Sequence, residues 1–164
     1  MNWDSAREFA RLLTSNGFFV DPEIILQLDI DGFRIGWSLG LLDADRAVAW
    51  AEIRYRAGIR STDEFDLVSN LADERYKVRD LLGIIIPPGR GLQANIWICV
   101  VMDAAIAHGG FDSFELVPDT RAFLSLWDDC GPWSPLLRAS RHHARYVKLA
   151  NEISLRFRNS LPKS

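Results

Sequence analysis

Apolar residues recur along this chain at spacings of three and four, the period of an α-helix, and residues that start and stop helices punctuate them. Residues 4–15 spell a first helix: Asp4 caps it, Ala6, Phe9, Ala10 and Leu13 share one face, and Asn16-Gly17 ends it. Asp21-Pro22-Glu23 opens a second, with proline at the first helical position, where an N–H has no partner in any case. Ile24, Ile25 and Leu28 form its apolar face, and Asp29-Ile30-Asp31-Gly32 reads as a turn or kink. Phe33, Ile35, Trp37 and Leu39 alternate as in a strand, yet Phe33, Trp37 and Leu41 also share one helical face. With no partner strand nearby, helix is preferred.

Residues 39–73 read as the stretch that organises the rest. Asp43 is an N-cap, its carboxylate placed to accept from the free amides of the first turn. The helix it opens runs from Ala44 to Ala57, with Gly58 as its stop. Ala44, Ala47, Val48, Ala49, Trp50, Ala51, Ile53, Tyr55 and Ala57 make it apolar almost all round, which predicts a helix sandwiched between neighbours. Ser61-Thr62-Asp63-Glu64 is a capping-box pattern and starts the next helix, with Phe65, Val68, Leu71 and Ala72 as its stripe. The two form a predicted antiparallel hairpin.

Arg75 to Leu82 continues as helix until Gly83, Ile84-Ile85-Ile86 suits a short extended segment, and Pro87-Pro88-Gly89-Arg90-Gly91 is a break. Leu92 to His108 is nearly all apolar. A buried strand fits Ile96–Val101, but the length of the run favours helix. Phe111 to Val117 is ambiguous between strand and loop, and Pro118-Asp119 starts a helix through Trp127. Ser134-Pro135 caps a last helix reaching Asn159, with Ala139, His143, Tyr146, Ala150, Ile153 and Phe157 as its core seam. The pattern predicts an all-α fold: about seven helices in one array, residues 1–164 forming a single domain.

Composition adds limits. At 164 residues, 48% hydrophobic and 25% charged, the chain is long enough for a core and unlike a disordered segment. Cys99 lies inside an apolar run far from Cys130, so reduced thiols and a cytoplasmic location are expected. The N-terminus shows no basic stretch leading into an apolar one, so no secretory leader is expected. The longest apolar run, Ile96 to Ala107, contains Asp103 and falls short of the roughly 20 residues that span a bilayer.

Charge is unevenly spread. Residues 1–75 hold 14 acids against 8 bases, residues 76–135 hold 7 against 4, and residues 136–164 hold 1 against 7. An acidic front and a basic tail suggest a binding protein. The acidic candidates are Asp63, Glu64, Asp66, Asp73 and Glu74, with Asp21, Glu23, Asp29 and Asp31 as further members of the same surface. Capping and solubility account for many acids singly; collectively they suit a basic protein partner. Arg138, Arg141, Arg145 and Lys148 form a basic stripe on the last helix. That stripe suits nucleic acid, or else pairs with the acidic front. The overall pI of about 5.6 favours internal pairing, so nucleic-acid binding ranks second.

Motifs for chemistry are sparse. His142 and His143 are adjacent, so on a helix they point about 100° apart and do not grip one ion. His143 falls on the seam and is expected in the core, and no metal or cofactor is expected. Pro87–Gly91 lacks the lysine and spacing of a phosphate loop, and Asp128-Asp129 beside Cys130 reads as a solvated helix end. An enzyme using His142 or His143 ranks last. Of six tryptophans, Trp133, in Gly-Pro-Trp-Ser-Pro, and Trp3, near a terminus, are the expected exposed anchors.

The stretch Gly36-Trp37-Ser38-Leu39-Gly40-Leu41-Leu42, running into the Ala44–Ala57 helix and the acidic 63–73 helix, resembles small helical immunity proteins of bacterial contact-dependent growth inhibition systems. The likeness covers about 40 of the 164 residues and contains no motif from which a site residue carries over. It implies a non-catalytic cytoplasmic protein that binds one cognate toxin domain, often a nuclease and often basic, and blocks its active site.

Overall fold

The computed structural model describes residues 2–15, 18, 20–59, 73–83, 89–107 and 115–162. These residues are helical throughout their regular parts, and none lies in a strand. The elements are α1 (Trp3–Ser15), α2 (Pro22–Gln27), α3 (Ile30–Ser38), α4 (Ala44–Arg56), α5 (Arg75–Gly83), α6 (Leu92–Ala107), α7 (Leu116–Leu124), a 3-10 turn (Gly131–Leu137) and α8 (His143–Ser160). The fold is all-α, as the pattern predicts. The second helix of the expected hairpin, the Ile84–Ile86 segment and His108 lie outside the described residues.

Short side chains set the element boundaries. Asp21, Asp29 and Asp43 each accept a first-turn amide, from Glu23, Gly32 and Arg46 at 2.9, 2.9 and 2.8 Å. Asp29 is thus the cap of α3, and the expected turn at 29–32 is that helix's first turn. Gly40 and Gly58 end α3 and α4 at φ of +73° and +78°. At the first, Gly40 N–H donates to Trp37 O and Leu41 N–H to Gly36 O, both at 3.0 Å, a Schellman closure that needs the left-handed residue.

Residues 39–73 are the expected organiser, but the centre of the fold is α6. Ala94, Ile96, Trp97, Ile98, Cys99, Val100, Val101, Met102 and Ala105 are buried, on every side of the helix. It is packed by α1, α3, α7 and α8. The closest approach is to α3, whose Gly32 and Gly36 lie one turn apart on one face. A Cβ on Gly36 would stand 2.4 Å from Trp97 Cζ2, and one on Gly32 would stand 2.1 Å from Gln93 Oε1. Glycine here is a packing requirement. Trp97 Nε1–H donates to Gly32 O at 2.7 Å, while Gln93 accepts from Asp29 N–H at 3.1 Å and donates to Gln27 O at 3.0 Å. The far face of Trp97 stacks on Trp50 of α4, with centroids 6.0 Å apart.

Helix α4 packs against α2 and α5, but the burial expected of a sandwiched helix is only partial. It buries Ala47, Ala51 and Arg54 and leaves Ala49, Ile53 and Tyr55 exposed. Arg54 enters the interior to donate from Nη1 to Leu26 O at 2.6 Å, tying α4 to the end of α2. Burial pulls its guanidinium below its ordinary pKa, with Asp29 opposing.

The expected continuous helix from Ser134 to Asn159 is also corrected. The chain takes a 3-10 turn over Gly131–Leu137, crosses a short loop, and starts α8 at His143. Arg121 of α7 explains the break. Its Nε donates to Leu136 O at 3.1 Å and its Nη2 to Ala139 O, carbonyls that a continuous helix would offer to amides four residues on.

Candidate functional site

The corner where α7, the 3-10 turn and the start of α8 meet gathers four bases that make no ion pair among the described residues. Arg121 anchors it, lying 5.6 Å over the Tyr146 ring, whose hydroxyl meets Thr120 Oγ1 at 2.7 Å. The chain from 138 to 142 is thereby held on the outside. Arg138 and Arg141 lie on this loop, and Arg145 and Lys148 on the first turns of α8. All four are exposed, and none forms an ion pair with any described residue. The internal pairing suggested by the acidic front is therefore absent among the described residues.

Two local features sharpen the corner. His142, at the N-cap of α8, makes no side-chain capping bond, and the first turn of α8 contains no acid. Beside it, Val117, Pro118, Arg121 and Arg141 line a recess of about 490 Å³. Its surface is mainly apolar, with two arginines in the lining. His143, expected in the core, is exposed, as is His142. The helix begins at His143, so the register of the seam is carried by Tyr146, Ala150, Ile153 and Phe157, which are buried as expected.

The acidic candidates are only partly in view. Asp63, Glu64 and Asp66 lie outside the described residues. Asp73 is exposed; Glu74 is half-buried and holds Lys77 Nζ at 2.7 Å. The hydrogen bond to Glu74 raises the pKa of Lys77. Asp45 pairs with Arg75 at 2.8 Å across α4 and α5. Asp21, Asp29 and Asp43 serve as caps, so part of the acidic front is explained by local structure.

Trp133 is a correction. It is fully buried and edge-on to Phe157, with centroids 5.0 Å apart, so it belongs to the core and is no surface anchor. The prolines on either side shape a tight 3-10 turn that drives the indole inward. Trp3 is half-buried, edge-on to Trp127 at 5.6 Å.

One constellation was not anticipated from sequence. Asp103 of α6 accepts from Ser154 Oγ at 2.5 Å, from Arg158 Nε at 2.9 Å, and from Arg158 Nη2. Cys99 Sγ lies 3.3 Å from Ser154 Oγ. Burial, with Asp103 adding repulsion, pushes the Cys99 thiol up to about 11. A thiol so placed is inert as a nucleophile at neutral pH. The network clamps α8 to α6, and Arg158 extends it to Asp21 at 3.8 Å. The signal available beforehand was Asp103 itself, the one charge inside an apolar helix.

Cys99 and Cys130 are both free and buried. Among the described residues no group of three or more His, Cys, Asp or Glu side chains is placed to hold a metal, and no helix is long and apolar enough to cross a membrane. Compared with models of protein families, with curated proteins and with solved structures, the chain matches none.

Proposed function

We propose that this chain is a non-catalytic binding protein, an immunity protein that neutralises a cognate basic toxin domain through its acidic face. The supporting observation is that charge is segregated along the chain, and that its basic stretch forms no ion pair among the described residues. Residues 61–74 contain five acids and no base, residues 131–151 four bases and no acid, and those four bases form no ion pair with a described residue. Uncancelled surfaces of one sign accelerate encounter with an oppositely charged partner and repel the wrong one.

The contact residues in this reading are Asp63, Glu64, Asp66, Asp73 and Glu74. Trp133 is not among them, because it is buried. A cytoplasmic location remains part of the proposal, and two free buried cysteines agree with it.

The test is co-expression with a toxin domain encoded directly upstream, followed by association kinetics at low salt. Asp63→Lys, Glu64→Lys and Asp66→Lys together are expected to slow association roughly ten-fold or more. An unchanged on-rate at low salt would overturn the acidic-face assignment. Upstream genes unrelated to toxins would remove the toxin as partner.

A further inference from the structure

We infer that the α7–α8 corner is a binding surface for single-stranded nucleic acid. Neutralisation at this corner is sparse: Glu152, which lines a shallow groove with Lys148, is the one acid of α8 and makes no ion pair among the described residues. Arg138, Arg141, Arg145 and Lys148 fall within eleven residues of chain, are all exposed, and face no paired acid among the described residues. The other 15 bases and 22 acids of the chain sum to −7, so the patch of +4 is the place where a polyanion is attracted.

Geometry selects the kind of polyanion. The recess of about 490 Å³ beside the patch is lined by Val117 and Pro118, which give it apolar surface, and by Arg121 and Arg141. Arg121 is fixed by its bonds to Leu136 O and Ala139 O, so its charge is pre-positioned. An apolar slot with arginines in its lining accepts an unstacked base, while phosphates on either side meet Arg138, Arg145 and Lys148. A base inside a duplex is paired and stacked, and cannot enter such a slot. A duplex would therefore use the cations alone. The α8 amides, uncapped by His142 and with no acid in their first turn, add partial positive charge at the same place.

The experiment is fluorescence-anisotropy titration of the full chain with labelled single-stranded oligonucleotides, one RNA and one DNA, at 50 and 200 mM salt. Three phosphate contacts give a slope near −2.1 on logarithmic axes, so affinity is expected to fall about twenty-fold between the two salt concentrations. Arg145→Gln and Lys148→Gln, both on the solvent side of α8, are each expected to lower the slope by about 0.7. Val117→Glu places an acid in the recess and is expected to remove the preference for single strands over a duplex of the same sequence.

Binding of either sugar type with these responses supports the inference. Lack of binding at 50 mM salt overturns it. So does equal affinity for duplex and single strand in the unaltered chain, or equal competition by polyglutamate, which would mean that the patch is a generic cation surface or a site for acidic protein. The charge reversals at Asp63, Glu64 and Asp66 are expected to leave this titration unweakened, so it stands or falls apart from the toxin reading.

Discussion

Helix α6 buries nine of its sixteen residues, whereas α4, also rich in apolar residues, buries three of thirteen, one of them an arginine. The difference lies in which apolar residues each contains. The apolar character of α4 rests largely on Ala44, Ala47, Ala49 and Ala51, interrupted by Asp45, Arg46, Glu52, Arg54 and Arg56. Alanine favours helix strongly and gains little from burial, so an alanine-rich helix is comfortable at a surface. Helix α6 has as many alanines, but it adds Leu92, Ile96, Trp97, Ile98, Cys99, Val100, Val101, Met102 and Ile106, and Asp103 is its one charge. Apolar count says that both are helices; apolar area says which one is core.

The comparison breaks most readily at Trp97. Trp97→Ala removes a fully buried indole, its hydrogen bond to Gly32 O and its stack on Trp50, and is expected to cost about 3–5 kcal/mol in urea unfolding. The reciprocal change, Gly36→Ala, drives a methyl into the same ring. It is expected to cost about 1–3 kcal/mol, because the ring is confined between α3 and α4. A neutral Gly36→Ala variant would show that the α3–α6 contact can open without penalty.

The clamp at the far side of α6 should rank next. Side-chain exposure of 27% at Asp103 and 34% at Arg158 places the pair between the buried and the solvated extremes. A double-mutant cycle with Asp103→Ala and Arg158→Ala is expected to give a coupling of about 1–2 kcal/mol. A coupling under about 0.5 kcal/mol would mean that solvent already screens the pair.

Cys99 makes the buried side of α6 sensitive to pH. Its thiol is held at about 11 against an ordinary 9.0, so in the folded chain it keeps its proton over a range in which the unfolded chain loses it. The stability it supports is intact below pH 9, erodes as pH rises, and is gone above about 11, at no more than roughly 1.4 kcal/mol per unit. Urea unfolding of the parent and of Cys99→Ala across pH 8 to 11 tests this. The gap between them should narrow with pH, and a constant gap would contradict it.

Local signals made much of this fold readable. Asp21 and Asp43 cap the helices they were expected to cap, and the limits of α4 and α6 fall within a residue or two of the pattern. What was hidden depends on contacts distant in sequence. Gly32 and Gly36 look like helix weakeners until Trp97 is set against them. The break before α8 depends on Arg121, fifteen and more residues away from the carbonyls it takes. Once α8 starts at His143, that residue leaves the core and Trp133 enters it. The basic corner was legible as charge but not as an unpaired surface, since pairing is a property of the folded chain.

The smallest effect bears directly on the difference between α4 and α6. Ala49 lies on the exposed face of α4, between Arg46 and Ile53 on successive turns, and Ala105 lies on the buried side of α6. Ala49→Glu keeps a good helix former in place and adds a carboxylate i+3 from Arg46, so its effect should stay within about 0.5 kcal/mol. The same substitution at Ala105 buries an unpaired carboxylate and should cost several times as much. If Ala49→Glu proves as damaging as Ala105→Glu, then α4 is covered in solution, and the alanines that look like surface are an interface.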